Sequence, residues 1–157
     1  MSKRLLRSIP HLPTDQPPCR ILVADDHPVN RTLLIRLLQR GGFVVNQAVN
    51  GADAFAVWQQ WHPQLIFMDL LMPGTDGREA ARLIRAAERL SGQPTTKIIA
   101  LTAEPVLTLS HQATAAGFDS IIAKPIRPDT IFDLIAKYLN LQYVYGSIGA
   151  LEINTLT

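Results

Sequence analysis

The chain has a single cysteine, Cys19, so it can form no internal disulfide and offers no cysteine set for a metal cluster. The expected setting is therefore reducing, the cytoplasm. No uninterrupted apolar run approaches the ~20 residues that a membrane span requires, although hydrophobic residues make up 47% of the chain. No segment joins a basic start, an apolar middle and a small-residue cleavage site, which argues against a secretory signal. Charge of one sign is scarce as well. Lys3, Arg4, Arg7 and Arg20 against Asp15 sum to +3 in the first 20 residues, so a total of +2 leaves about −1 beyond them. A near-neutral body is a poor electrostatic footprint for nucleic acid, and neither a nucleic-acid partner nor membrane insertion is expected. There is no internal repeat, and 157 residues leave room for one domain plus tails.

What is present is an alternation. Short, continuous apolar runs occur at Ile21–Ala24, Val44–Val49, Leu65–Met68, Ile98–Leu101 and Ser120–Ala123. Continuous rather than alternating runs are how strands of a parallel sheet covered on both faces read. Between them lie stretches of helical spacing, such as Leu33, Leu34, Leu37 and Leu38, or Ile131, Leu134, Ile135, Tyr138 and Leu139. Pro28 suits the first turn of a helix, and Gly41-Gly42 suits its end. Five strands alternating with five helices predict an open α/β sandwich. Pro10, Pro13, Pro17 and Pro18 break any helix in the leader, read as a flexible, solvated segment.

The strand ends carry the information. Ile21–Ala24 runs into Asp25-Asp26, Leu65–Met68 ends at Asp69, Ile98–Leu101 at Thr102, and Ile121–Ala123 at Lys124. Each residue alone has a plain reading: Asp26 or Thr102 as a helix cap, Lys124 as a surface lysine. In a parallel sheet, however, all four ends share one edge, where ligands bind. Crowded carboxylates repel one another unless a cation joins them. Oxygen ligands with room for water suit Mg²⁺. A carboxylate can attack phosphorus to give an acyl phosphate, with a lysine and a hydroxyl meeting the phosphoryl oxygens. The chemistry indicated is phosphoryl transfer to an aspartate.

Asp25-Asp26, Asp69-Leu-Leu-Met72-Pro73 with Asp76-Gly77, Thr102-Ala103 and Lys124-Pro125 together resemble the response-regulator receiver family of two-component signalling, over residues 20 to 140. The resemblance implies a flavodoxin-like (βα)5 three-layer sandwich with strand order 2-1-3-4-5. It implies Asp69 as phosphoacceptor, with Mg²⁺ held by Asp25, Asp26, Asp69 and the backbone carbonyl of Leu71. It implies that Thr102 binds a phosphoryl oxygen and shifts on phosphorylation, that Lys124 pairs with the phosphoryl group, and that the Lys124–Pro125 bond is cis. The implied donor is a phosphohistidine on a histidine kinase or a histidine phosphotransfer protein, and the domain is a phosphoacceptor rather than a turnover enzyme. The stretch Asp25-Asp26-His-Pro-Val-Asn30-Arg31 is most similar to receivers of hybrid histidine kinases, although Met1 favours a stand-alone relay protein. The expected organisation is a leader over 1–19, a receiver over 20–140 and a tail of undetermined structure over 141–157, with oligomeric state open.

Two departures matter. Ile121 stands where the family often has an aromatic residue, so a coupled hydroxyl–aromatic switch is not expected. Leu71 and Glu104 occupy positions that tune phosphoryl loss in the family, and an apolar Leu71 cannot orient a water, which predicts slow self-dephosphorylation. Rival readings fare worse. A dehalogenase-type phosphatase needs an aspartate at Leu71, and a flavodoxin-like cofactor binder needs a hydroxyl- and glycine-rich loop where Asp25-Asp26 stands. A receiver fold kept only as a binding module is the remaining alternative. Arg78, Arg82, Arg85 and Arg89 read as a solvated helical face, Trp58 and Trp61 as packing residues, and His27 as a loop residue near the site.

Overall fold

Alternate residues of the inner strands point into two separate cores, and this divides the molecule into three layers. The computed structural model describes residues 10–145. It contains β1 (Pro10–His11), β2 (Arg20–Ala24), α1 (Pro28–Arg40), β3 (Val44–Ala48), α2 (Gly51–Trp61), β4 (Leu65–Asp69), α3 (Gly77–Ser91), β5 (Lys97–Thr102), α4 (Val106–Ala116), β6 (Ser120–Ala123), α5 (Pro128–Leu139) and β7 (Val144–Tyr145). Leu22, Ile66, Met68 and Ile98 face one core with Trp58 of α2, Ile84 of α3 and Leu109 of α4. Ile21, Val23, Phe67 and Ile99 face the other, with Leu34 and Leu38 of α1 and Ile131 and Ile135 of α5. Every residue of β4 is buried, as befits the strand covered on both faces.

The main sheet is parallel, in the order β3-β2-β4-β5-β6. Counting its own strands alone, this is the expected 2-1-3-4-5, so the fold is the flavodoxin-like α/β sandwich. The order reverses between β2 and β4, and that switch point opens the crevice in which such sheets bind ligands. Helix boundaries follow local chemistry. Pro28 sits in the first turn of α1, and Gly42, at φ 86°, adopts the left-handed conformation just past its end. Asn50 caps α2 by accepting from the Asp53 N–H, and Asp76 caps α3 by accepting from the Glu79 N–H. Gly77 lets α3 start against the end of β4, because a Cβ there would collide with the carbonyl oxygen of Asp69. Among the described residues no helix is long and apolar enough to cross a membrane.

The leader differs from its expected form where it is described. β1 pairs antiparallel with β7, Pro10 opposite Tyr145 and His11 opposite Val144. Leu12 and Cys19 are buried, and the Leu12 N–H donates to the Gly41 carbonyl. The cause is apolar: Leu12, Phe43, Phe132 and Tyr143 share one core, with the Tyr143 ring edge-on to both phenylalanines and its hydroxyl donating to the Phe132 carbonyl at 2.8 Å. Burial pushes the Cys19 thiol up to about 11, so it is a protonated packing group at neutral pH. Residues 1–9 and 146–157, where the rest of the leader and tail fall, lie outside the described residues.

Candidate functional site

The site is assembled by strand ends in register. β2 and β4 pair from Ile21–Leu65 to Ala24–Met68, so Asp25 and Asp69 each stand one step further at the same edge. Asp69 pairs with Leu101, which brings Thr102 one step beyond, and Thr102 pairs with Ala123, which brings Lys124 after it. The Lys124 N–H donates to the Thr102 carbonyl at 2.7 Å, tying the last two ends together. The Lys124–Pro125 bond is cis, as the resemblance implies.

One ligand oxygen from each of Asp25, Asp26 and Asp69 lies within 4.8 Å of the other two. Asp25 and Asp69 are buried and Asp26 is exposed, so the trio opens to solvent on one side. The Lys124 ammonium donates to Asp69 Oδ2 at 3.1 Å and to Asp25 Oδ2 at 3.2 Å. An ammonium has three N–H donors, so one is left uncommitted among the described residues. The His27 N–H donates to Asp25 Oδ1 at 2.8 Å, and the Leu71 N–H reaches Asp69 Oδ1 at only 3.3 Å. Burial raises the Asp69 carboxyl above the usual carboxylate range; the Lys124 ammonium pulls it back, and the Asp25 carboxylate pushes it further up. Burial alone would lower Lys124, but the Asp69 and Asp25 carboxylates outweigh it and hold the ammonium above an ordinary lysine. An all-oxygen donor set with an open side and surplus negative charge fits Mg²⁺.

The other candidate positions fall out variously. Thr102 is buried at the end of β5, and its Oγ1 accepts from the Glu104 N–H at 3.0 Å, so it shapes the turn before α4 rather than capping that helix. Asp26 is not a cap either; the residue at the N-cap of α1 is His27, without a side-chain bond. Leu71 is 56% exposed beside the trio, and Ile121 packs against the α2–α4 core. His27 is exposed and is not one of the three clustered acids. Trp58 packs as expected, its Nε1–H donating to Thr96 Oγ1.

Sequence reasoning missed two arginines. Arg85, read as part of a solvated stripe, is instead engaged: it donates to the carbonyls of Gly117 and Thr96 and to the carboxylates of Glu88 and Asp119. Helical spacing alone could not distinguish it from Arg82 and Arg89, which are exposed. Arg31 touches the site itself, donating to the Asp25 carbonyl at 2.9 Å. The available signal was its place one helical turn beyond His27.

Comparison with known proteins accords with this geometry. The family model described as "Response regulator receiver domain" matches residues 21–136. Hybrid signal transduction histidine kinase F of Dictyostelium discoideum is 33% identical over 124 residues, covering 78% of this chain, while the chain spans 11% of that relative. Among solved structures, the receiver domain of the response regulator Ssk1 of Saccharomyces cerevisiae, co-crystallised with the histidine phosphotransfer protein Ypd1, is similar with a TM-score of 0.74 and 29% identity, covering 78% of this chain and 89% of that one. The receiver domain of sensor histidine kinase PA1611 from Pseudomonas aeruginosa PAO1, with magnesium in its active-site cleft, gives a TM-score of 0.70 and 28% identity over 79% of this chain and 99% of that one.

Proposed function

This chain belongs to the response regulator receiver domain family, and on that premise we propose that Asp69 accepts a phosphoryl group from a phosphohistidine in a Mg²⁺-dependent reaction. The observation that carries the reading is the acid trio within 4.8 Å with the Lys124 ammonium 3.1 Å from Asp69. An Asp69 oxygen forms the new bond to phosphorus as the bond from phosphorus to the histidine nitrogen breaks, giving an acyl phosphate and a free imidazole. Lys124 supplies its uncommitted N–H to a phosphoryl oxygen, and Thr102, once released from the Glu104 N–H, can supply a hydroxyl to another. Asp25, Asp26, Asp69 and the Leu71 carbonyl would hold Mg²⁺, which supplies charge neutralisation for the carboxylates and the incoming phosphoryl oxygens. The role is that of a phosphoacceptor, not a turnover enzyme.

The surroundings support a protein as the partner. Val29 and Leu33, one turn apart on α1, are 60% and 62% exposed, and Leu33 lines a cleft of about 450 Å³ with Asn30, Lys124, Pro125 and Ile126. Exposed apolar side chains around a buried nucleophile suit a protein donor, which must exclude water while the bond exchanges. A histidine phosphotransfer protein or histidine kinase fits, in line with the Ssk1 receiver's crystallisation with Ypd1. Leu71, exposed and without a hydrogen-bonding side chain, supports a long-lived acyl phosphate; decay within seconds would overturn that part.

The test is intact-mass spectrometry after incubation with acetyl phosphate or a phosphorylated phosphotransfer protein, with and without Mg²⁺. A single adduct that disappears without Mg²⁺ and in Asp69→Asn is expected. An adduct that survives Asp69→Asn, or none with either donor, would overturn the assignment, the latter in favour of a binding module.

A further inference from the structure

Of the three carboxylates, Asp26 has the least to hold it. Asp25 is fixed at four points: its N–H donates to the Ala48 carbonyl at 3.1 Å, its carbonyl accepts from Arg31 Nη1 at 2.9 Å, and its two oxygens accept from the His27 N–H and Lys124 Nζ. Asp69 is anchored in the central strand. Asp26 is exposed, and among the described residues no donor is recorded on its carboxylate. Its direction therefore depends on its backbone.

The Asp25 carbonyl and the Asp26 N–H belong to one planar peptide unit, so whatever grips that carbonyl sets the plane from which Asp26 departs. The grip is Arg31. Its guanidinium spans two elements, Nη1 donating to the Asp25 carbonyl and Nε donating to Gln47 Oε1 at 2.9 Å. Gln47 lies on the edge strand β3, opposite Val23, so it ties the fork to the sheet rather than to the loop it steadies. The fork has fixed geometry, which an ammonium cannot reproduce at both acceptors.

We infer that Arg31 and Gln47 form a positioning bridge that aims Asp26 into the metal site and so sets the affinity for Mg²⁺. The inference rests on the metal site proposed above. Charge and position pull in opposite directions here. A cation beside three carboxylates competes with Mg²⁺, so by charge alone its removal tightens binding; loss of the bridge frees the Asp26 peptide and weakens binding. Supporting groups behind metal ligands typically change affinity by about 10-fold or more when removed.

The test is Mg²⁺ titration of the unphosphorylated chain, followed by the backbone amide signals of residues 25–27 and 69–71. Arg31→Lys keeps the charge and loses the fork; Gln47→Ala, at an exposed edge position, removes no charge. Each should raise the Kd about 10-fold with the thermal midpoint near wild type. The double variant should be no weaker than either single, because both break one bridge. Unchanged or tighter binding in the singles, or additive losses in the double, would overturn the bridge while leaving the metal site standing. A wild-type chain whose signals ignore Mg²⁺ would overturn the site and the bridge together.

Discussion

Two clusters in this molecule share one inventory, a single basic group between two carboxylates, and differ in how completely they are satisfied. At the carboxyl edge of the sheet Lys124 joins Asp25 and Asp69, with Asp26 beside them. At the opposite edge Arg85 joins Glu88 and Asp119. There the backbone closes the remaining valences: the Thr96 N–H donates to Glu88 Oε2, the Ile98 N–H donates to Asp119 Oδ2, and the guanidinium also reaches the Gly117 and Thr96 carbonyls. Both Glu88 oxygens and four of the five Arg85 N–H donors are engaged in this way, so that cluster is a strut binding α3 to the starts of β5 and β6. The Lys124 cluster keeps a spare donor, a weakly held Asp69 oxygen and an exposed third acid. Burial with incomplete compensation raises Asp69, and the same incompleteness leaves room for a cation and a phosphoryl group. Net charge does not separate a site from a strut; the supply of backbone donors does.

The largest break in this comparison comes from removing each cation. Arg85→Met leaves Glu88 buried beside Asp119 with no counter-charge and should cost about 3–5 kcal/mol. Lys124→Met strips the cation from Asp25 and Asp69, which are also buried, and should cost a similar amount without Mg²⁺. Urea unfolding with and without Mg²⁺ separates the two. Mg²⁺ should recover part of the Lys124→Met loss and none of the Arg85→Met loss, and equal recovery would erase the distinction between site and strut.

A smaller effect should come from neutralising one acid in each cluster. Glu88→Gln exchanges an oxygen that accepts from Arg85 or Thr96 for an amide that donates, with an expected cost of about 1–3 kcal/mol. Asp69→Asn removes a charge that Asp25 already opposes, so stability should hold or rise while phosphorylation is lost. Chemical unfolding of both variants checks this; an Asp69→Asn protein as destabilised as Glu88→Gln would mean that Asp69 serves the fold more than the site.

The site was more legible than the strut, for a physical reason. Asp25, Asp69, Thr102 and Lys124 each follow a continuous apolar run, and parallel pairing carries such ends to one edge whatever the details of packing. The alternation of strands and helices followed from the same runs, whereas the strand order came from the family resemblance. Arg85 carries no such mark, since its partners lie at Thr96, Gly117 and Asp119, and only the packing of α3 against the strand starts brings them together. Leu12 and Tyr143 were illegible for a related reason: the first lies among Pro10, Pro13, Pro17 and Pro18, and the second in an apolar stretch too short for periodicity to register. Arg31 shows the limit within the site, because its role depends on a backbone carbonyl, which a sequence does not distinguish from any other.

The smallest expected effect tests whether saturation itself stabilises the strut. Thr96 Oγ1 accepts from Trp58 Nε1 at 2.9 Å and donates to the Pro63 carbonyl at 3.1 Å, extending the Arg85 cluster toward α2. Trp58→Phe removes the indole donor and leaves the Thr96 hydroxyl still donating to Pro63, so no buried group is stranded and the cost should be about 1 kcal/mol. Thr96→Val cuts the same link from the other side, but strands both the indole N–H and the Pro63 carbonyl, and should cost more, about 1–3 kcal/mol. Both substitutions delete the same Trp58–Thr96 bond, so a difference in their unfolding free energies reads the penalty of the groups left unpaired. Equal costs would show that the strut is held by packing around Trp58 and not by the fuller pairing that sets it apart from the Lys124 cluster.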